Sequence, residues 1–227
     1  MSNSEVEIGG VLVPMPRPTR GRRTKAGPRR TQAERSDETR ARLLEAAAEV
    51  LRRKGYAGLR TDEVAHVAGV SRGAQQHHFP SKDSLVLATA AHLMRTGMQR
   101  GQRRAEQLEG EAIEGIIQDA LDFFLGRDFS VMLDLVLAGS KDRVLREKIY
   151  SYTRESRLAV ESAWLEVLCE SGLPRAKAEK VLWLTISIVR GLAVRALWQR
   201  DDALFRSLLD EWKLILAGHL RGEGRKK

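Results

Sequence analysis

The chain has 227 residues, of which 42% are apolar and 30% charged, a composition ordinary for a soluble helical protein with a sizeable core. The single cysteine, Cys169, excludes an intrachain disulfide, and no apolar run is long enough to span a bilayer. We therefore expect a cytoplasmic protein without a membrane association.

The net charge of +9 is concentrated in the first part of the chain. Residues 1–100 hold 18 Lys and Arg against 10 Asp and Glu, whereas residues 101–227 hold 21 against 20. A basic part of this kind is typical of a domain that binds a polyanion. The same charges could instead serve only to keep the chain in solution, and composition leaves both interpretations open.

The first segment, residues 1–35, contains four prolines and the basic run RPTRGRRTKAGPRR, which predicts a disordered basic arm. Its stretch TRGRRTK resembles an AT-hook, although the proline after the second arginine is missing. Such a motif would place Arg20, Arg22 and Arg23 in an A·T minor groove. Two alternatives stay open, namely nonspecific attraction to phosphates and a solubilising tail.

Four helices are predicted next, over 36–55, 61–69 and 71–79 and then in a long segment after Ser81. Their ends are marked by capping and breaking residues: Ser36, Gly55, Thr61, Gly69, Ser71, Pro80 and Ser81. Two short helices joined by a tight turn with a glycine are typical of a helix-turn-helix, here at about 60–79.

The second short helix, SRGAQQHHF, carries few aliphatic side chains. Its residues Arg72, Gln75 and Gln76 are spaced i, i+3 and i+4 and predict a polar ridge. Arginine can bind guanine or phosphate, and glutamine can pair with adenine in the major groove. A polar ridge is often only a solvated surface, but this one follows the turn in the basic part of the chain.

The adjacent His77 and His78 do not predict a metal site, because neighbouring residues on a helix point about 100° apart. We expect one imidazole to face phosphate and the other to pack beside Phe79. The sequence also contains no nucleophile elbow, no Walker A pattern and no H-E-x-x-H. It therefore predicts no enzyme, no metal and no cofactor.

The stretch LRTDEVAHVAGVSRGAQQHHFPSKDSL, with the helix before it and GY at 55–56, resembles the DNA-binding domain of the TetR family of bacterial transcriptional regulators over about 37–97. The resemblance implies a DNA-binding domain at 36–97, with Phe79 as a core aromatic. The predicted DNA contacts are the positions that match contacts of the family, with Gln75 added because it belongs to the polar ridge. They are Thr61, Ser71, Arg72, Gly73, Ala74, Gln75, Gln76, His77 and Lys82.

Two of these roles are more specific. Thr61 matches a helix cap that meets a phosphate, and Lys82 matches a lysine that contacts phosphate. Gln75 and Gln76 stand where the family usually has Leu and Tyr. These departures leave open the burial of position 75 and the sequence of the operator.

Beyond residue 100 the periodicity predicts five further helices: 111–126, 128–139, 141–171, 174–199 and 202–220. No segment alternates with period two for long enough to predict a strand. The fold class is therefore all-α, with about nine helices. Apolar residues run almost all round the helix between Val181 and Val189, so we expect it to be buried on more than one side.

The resemblance implies that residues 98–227 form a helical domain for effector binding and dimerisation, with a homodimer built through about 174–220. Bulky or charged side chains that could line an effector pocket are Phe123, Phe124, Met132, Trp164, Trp183 and Arg190. For each of the bulky residues the alternative is ordinary core packing, and for Arg190 it is exposure to solvent.

The sequence thus predicts a DNA-binding transcriptional regulator, in particular a repressor that binds a palindromic operator as a homodimer and is released by a small-molecule effector. The alternative is an architectural DNA-binding protein that uses the basic arm and responds to no effector. The effector, the operator sequence and the choice between repression and activation stay open.

Overall fold

The computed structural model describes residues 5–8, 11–14, 31–108, 110–140 and 142–223. The chain divides into two compact units, residues 1–36 and 37–227.

The first unit contains an antiparallel hairpin of strands β1 (Glu5–Ile8) and β2 (Val11–Pro14), with Glu5 opposite Pro14. These two strands were not predicted from the sequence, and the disordered basic arm over 1–35 stays a prediction for the residues outside them. Polar and apolar residues do alternate over Glu5–Ile8, but only over four residues, the shortest run that indicates a strand. The predicted minor-groove residues Arg20, Arg22 and Arg23 lie outside the described residues.

Nine helices are present among the described residues. They are α1 (Gln32–Gly58), α2 (Thr61–Val67), α3 (Arg72–His78), α4 (Lys82–Glu106), α5 (Ala112–Phe124), α6 (Phe129–Gly139), α7 (Arg143–Glu170), α8 (Arg175–Ala196) and α9 (Asp202–Glu223). The predicted all-α fold class is confirmed, and the end of most predicted helices is shifted by only a few residues.

Helix α1 begins before the predicted Ser36, because Thr31 and Glu34 form a reciprocal capping box. The Glu34 N–H donates to the Thr31 hydroxyl at 3.2 Å, and the Thr31 N–H donates to the Glu34 carboxylate at 2.6 Å. The helix is interrupted at Gly55, its predicted end, where φ is 66°. A short helical piece then continues to Gly58.

The turn between α2 and α3 follows the predicted glycine. Gly69 has a φ of 63°, and the N–H groups of Gly69 and Val70 donate to carbonyls of the last turn of α2 at 3.1 and 3.0 Å. The Ser71 hydroxyl then accepts a backbone N–H from the first turn of α3 at 3.2 Å. Ser81 caps α4 in a capping box.

Two clusters of buried apolar side chains stabilise the unit 37–227. One joins α1 to α4 with α6 and the start of α7, and the other joins α4 and α5 with α7, α8 and α9. Phe79 is 3% exposed and belongs to the first cluster, as predicted. A seven-residue helix is too short to be stable alone, so this anchor fixes α3 in place.

Candidate nucleic-acid interface and adjoining cavity

Helix α3 presents an exposed polar face at its first turn. Six of the predicted DNA contacts lie at this face: Ser71, Arg72, Gly73, Ala74, Gln76 and His77. Ala74 is half-buried, and the other five are exposed. A Cβ added to Gly73 would contact only the Ser71 hydroxyl, at 4.0 Å, so this end of the helix is open. The structure thus brings these residues together on one surface, and their contact with DNA stays a prediction.

Gln75 does not belong to this surface, which corrects the predicted ridge. Its side chain is 4% exposed, and its amide Nε2 donates to the Phe79 carbonyl oxygen at 2.8 Å. A buried amide is costly without such a partner, so this bond ties Gln75 to the core side of α3. We therefore no longer expect Gln75 to contact DNA.

The two histidines differ in burial, as expected. His77 is exposed, whereas His78 is half-buried with its ring centroid 6.5 Å from that of Phe79. The two imidazoles meet edge to face at 5.5 Å. In the part of the chain that the structure describes, no group of three or more His, Cys, Asp or Glu could hold a metal ion.

Two predicted phosphate contacts, Thr61 and Lys82, belong to the helices before and after α3. Thr61 is the first residue of α2, whereas the N-cap is Arg60, whose side chain makes no capping hydrogen bond. The predicted capping role of Thr61 is therefore wrong. The Lys82 ammonium lies 4.6 Å from the Tyr56 ring centroid and 3.5 Å from the Ala57 carbonyl oxygen. The end of α1 thus holds this lysine in place.

A cavity of about 790 Å³ lies between α5, α6, α7 and α8. The predicted pocket residues that line it are Phe123, Phe124, Met132, Trp183 and Arg190. Trp164 does not line it, which corrects the prediction. This side chain is 1% exposed, and its indole N–H donates to the Asp119 carboxylate at 3.1 Å. Trp164 is a core residue between α7 and α5.

Three phenylalanines form an apolar wall of the cavity. The ring of Phe124 meets Phe123 and Phe129 edge to face, at centroid distances of 5.0 and 5.2 Å. Two guanidinium groups lie on these rings. The Cζ of Arg157 is 4.7 Å from the Phe123 centroid, and that of Arg190 is 5.1 Å from the Phe124 centroid. The apolar wall therefore carries positive charge on one side.

Two charged residues that were not predicted from the sequence also line the cavity, namely Arg157 and Glu161, one turn apart on α7. Their side chains are 13% and 10% exposed, and Arg157 Nε is 3.5 Å from Glu161 Oε1. Burial lowers the pKa of Arg157 and raises the pKa of Glu161, because both charged forms lose solvation. Opposite charges at i, i+4 usually indicate a solvated helix surface, so only the tertiary structure identifies this pair.

Helices α8 and α9 expose apolar side chains in the single chain. Helix α8 packs against α5, α7 and α9, in line with the predicted burial on more than one side, and leaves Trp183 and Leu184 48% and 53% exposed. On α9, Leu208 and Ile215 are 43% and 55% exposed, whereas Leu209 is buried.

The turn between α2 and α3, with its exposed polar helix anchored by a buried aromatic residue, defines a helix-turn-helix DNA-binding protein. Residues 43–89 match the model of the bacterial regulatory proteins of the tetR family. The chain is 50% identical over 179 residues to the HTH-type transcriptional regulator CymR of Pseudomonas putida, covering 78% of this chain and 88% of that protein. The protein belongs to the TetR family of transcriptional regulators.

Solved structures share the fold. Escherichia coli NemR in its reduced form matches with a TM-score of 0.63 at 20% identity, covering 78% of this chain and 97% of that one. A transcriptional regulator from Saccharomonospora viridis in complex with choline matches with a TM-score of 0.63 at 19% identity, covering 78% and 95%. At these identities the likeness concerns the fold alone. Within the described ranges, no helix is long and apolar enough to cross a membrane.

Proposed function

We propose that the protein is a ligand-responsive repressor, which binds a palindromic operator as a homodimer and is released by a small-molecule effector. The observation that carries the proposal is the cavity of about 790 Å³ between α5 and α8. Its size and mainly apolar wall suit a small organic ligand, since such sites measure roughly 300–1,000 Å³. The choline complex of the Saccharomonospora viridis regulator is a precedent for a small molecule in this fold.

The exposed face of α3 is the element proposed to read the operator. Arg72 can bind guanine or phosphate, and Gln76 can pair with adenine in the major groove. Lys82, at the start of α4, is proposed to contact a phosphate and thereby to fix the register of the domain on DNA. The other proposed contacts are Thr61, Ser71, Gly73, Ala74 and His77.

The homodimer is proposed to form through the outer sides of α8 and α9. On α8, a Cβ added to Gly191 would contact nothing within 4 Å, so a second helix can approach closely there. On α9, Leu208 and Ile215 are exposed and lie on the same side of the helix. Two such surfaces related by a two-fold axis would form a four-helix bundle. This symmetry suits a palindromic operator.

Release requires that the effector bind the DNA-free form better than the DNA-bound form, by a coupling of roughly 1–3 kcal/mol. The cavity is bounded by α6, and α6 also packs in the cluster that contains α1 to α4. An effector that moves this wall would spread the two α3 helices out of register with the half-sites.

Selection of bound fragments from genomic DNA, followed by a compound screen on the enriched site, tests the proposal. We expect one palindromic motif and at least one small molecule that lowers the affinity for it. Fragments without a common motif, together with loss of all binding when residues 1–30 are removed, would instead favour the architectural DNA-binding protein.

A further inference from the structure

Helix α6 contacts both the cavity and the DNA-binding helices. Met132, Leu133 and Val136 line the cavity. Asp134, on the same helix, reaches α1, where its carboxylate Oδ2 accepts the backbone N–H of Tyr56 at 2.6 Å. One rigid helix of 11 residues therefore joins the cavity wall to α1.

The Asp134 bond lies at the interruption of α1. Gly55 has φ 66° and ψ −177°, so α1 is kinked there, just before the N–H groups of Tyr56, Ala57 and Gly58, which form its last short piece. Asp134 supplies an acceptor to the first of them. A Cβ at Gly55 would lie 2.9 Å from Asp134 Oδ2, so the glycine also makes room for the carboxylate.

Tyr56, which Asp134 holds by its backbone, also contacts the first turn of α4 through its side chain. The Lys82 ammonium lies 4.6 Å from the centroid of the Tyr56 ring, and the Tyr56 hydroxyl donates to Asp83 Oδ1 at 3.1 Å. Both partners belong to the first turn of α4, directly after α3 and Pro80. The position of the Tyr56 ring therefore determines where the Lys82 charge lies.

A second link joins α6 to α1 without touching Tyr56. The Arg52 guanidinium donates from Nε and Nη2 to Asp128 Oδ1, at 2.8 and 2.6 Å. Asp128 is the N-cap of α6. This link anchors the start of α6 and offers a matched control, since it too consists of an aspartate that binds α1.

We infer that Asp134 is a positioning residue for DNA binding, which acts through Tyr56 to hold Lys82 where it contacts phosphate. The inference rests on the proposed function, in which Lys82 contacts the operator. Any movement of α6 caused by an occupant of the cavity reaches Lys82 through this carboxylate. The geometry thus makes Asp134 the link between the cavity wall and one phosphate contact of each protomer.

A double-mutant cycle with the selected operator tests the inference. Lys82→Ala should lower the slope of log affinity against log salt by about 0.9 for each protomer, hence by about two for a dimer, and weaken binding roughly tenfold. Asp134→Ala should cause a similar loss of slope. The double variant should bind about as weakly as either single variant, because both changes remove the same contact.

Three further variants separate positioning from a merely structural role. Asp134→Asn keeps an oxygen acceptor for the Tyr56 N–H, so it should restore the slope. Tyr56→Leu removes the ring beneath Lys82 and should reproduce the loss of slope even if Asp134→Ala fails to fold. Asp128→Ala should lower the unfolding temperature, leave the slope unchanged and combine additively with Lys82→Ala.

The outcomes that overturn the inference differ from those that overturn the proposed function. A wild-type protein that selects no operator defeats the proposed function. If the wild type binds an operator, an unchanged slope in both Asp134→Ala and Tyr56→Leu overturns the inference alone. Additivity of Asp134→Ala with Lys82→Ala overturns it as well, and so does a loss of slope in Asp128→Ala equal to that in Asp134→Ala.

Discussion

Replacing Ile215 by aspartate should convert the proposed dimer into folded monomers. Ile215 is 55% exposed in the single chain, so a partner would bury about half of the residue. Full burial of such a side chain stabilises by roughly 1.5–3 kcal/mol, so the lost half amounts to about 1 kcal/mol per chain and about 2 kcal/mol per dimer. Each buried carboxylate adds a desolvation cost of several kcal/mol.

The summed loss is on the order of 8 kcal/mol per dimer, a change of more than about 10⁵ in the dissociation constant. Sedimentation equilibrium at micromolar concentration measures it, and far-ultraviolet circular dichroism checks that the monomer is folded. Leu214→Asp is the matched control. Leu214 is 65% exposed but points about 100° further round α9, so its variant should remain a dimer. A folded, unchanged Ile215→Asp dimer would refute this interface.

The other predictions concern DNA contacts, the core and the arm. Lys82→Ala should weaken all DNA sequences about equally, whereas Arg72→Ala should cost roughly 1–3 kcal/mol and relax one operator position, as binding to operator variants would show. Identical, sequence-independent losses would make Arg72 a phosphate contact only. Gln75→Ala should lower the free energy of unfolding in urea by about 2 kcal/mol, because the Phe79 carbonyl loses its buried donor, while base preference stays unchanged. An altered base preference at unaltered stability would return Gln75 to the DNA interface. Burial raises the pKa of Asp119, so its contribution to stability is complete below the unfolded pKa and is lost as pH rises through the folded pKa. Asp119→Asn should flatten this fall of the unfolding temperature above about pH 4, the usual pKa of an unfolded aspartate, and an unchanged pH dependence would contradict the assignment. Removing residues 1–30 keeps the capping box of α1, so affinity for DNA should fall without loss of stability. A larger loss on operators flanked by A·T tracts favours minor-groove insertion, and an equal loss on G·C flanks favours attraction to phosphates.

The helices could be predicted from the sequence because their signals are local. The φ of 63° at Gly69 and the caps at Ser71 and Ser81 depend on residues within one turn. Apolar periodicity then places the helices between such signals. The exceptions have local reasons as well. The capping box at Thr31 was not recognised, and strands β1 and β2, with four residues each, have the shortest length at which alternation indicates a strand.

Burial of individual side chains was harder to predict, because it depends on which face of a helix meets the core. Gln75 and Gln76 are chemically identical neighbours, yet only Gln75 is buried. A signal was present, since position 75 precedes the core residue Phe79 by four and therefore shares its side of the helix. Trp164 was assigned to the cavity by its size alone. Size indicates burial but does not distinguish a cavity wall from the core.

The charges on the cavity wall bear on function because the fold gains little from them. A buried ion pair recovers its desolvation cost only when its polar atoms are satisfied by further hydrogen bonds. Among the described residues, Arg157 Nε has no hydrogen-bond partner, and its distance to Glu161 is 3.5 Å. Arg190 lies on the ring of Phe124 in the same wall. Charged groups held at such a cost in a cavity are more typical of a binding site than of a structural core, which supports the proposed effector site.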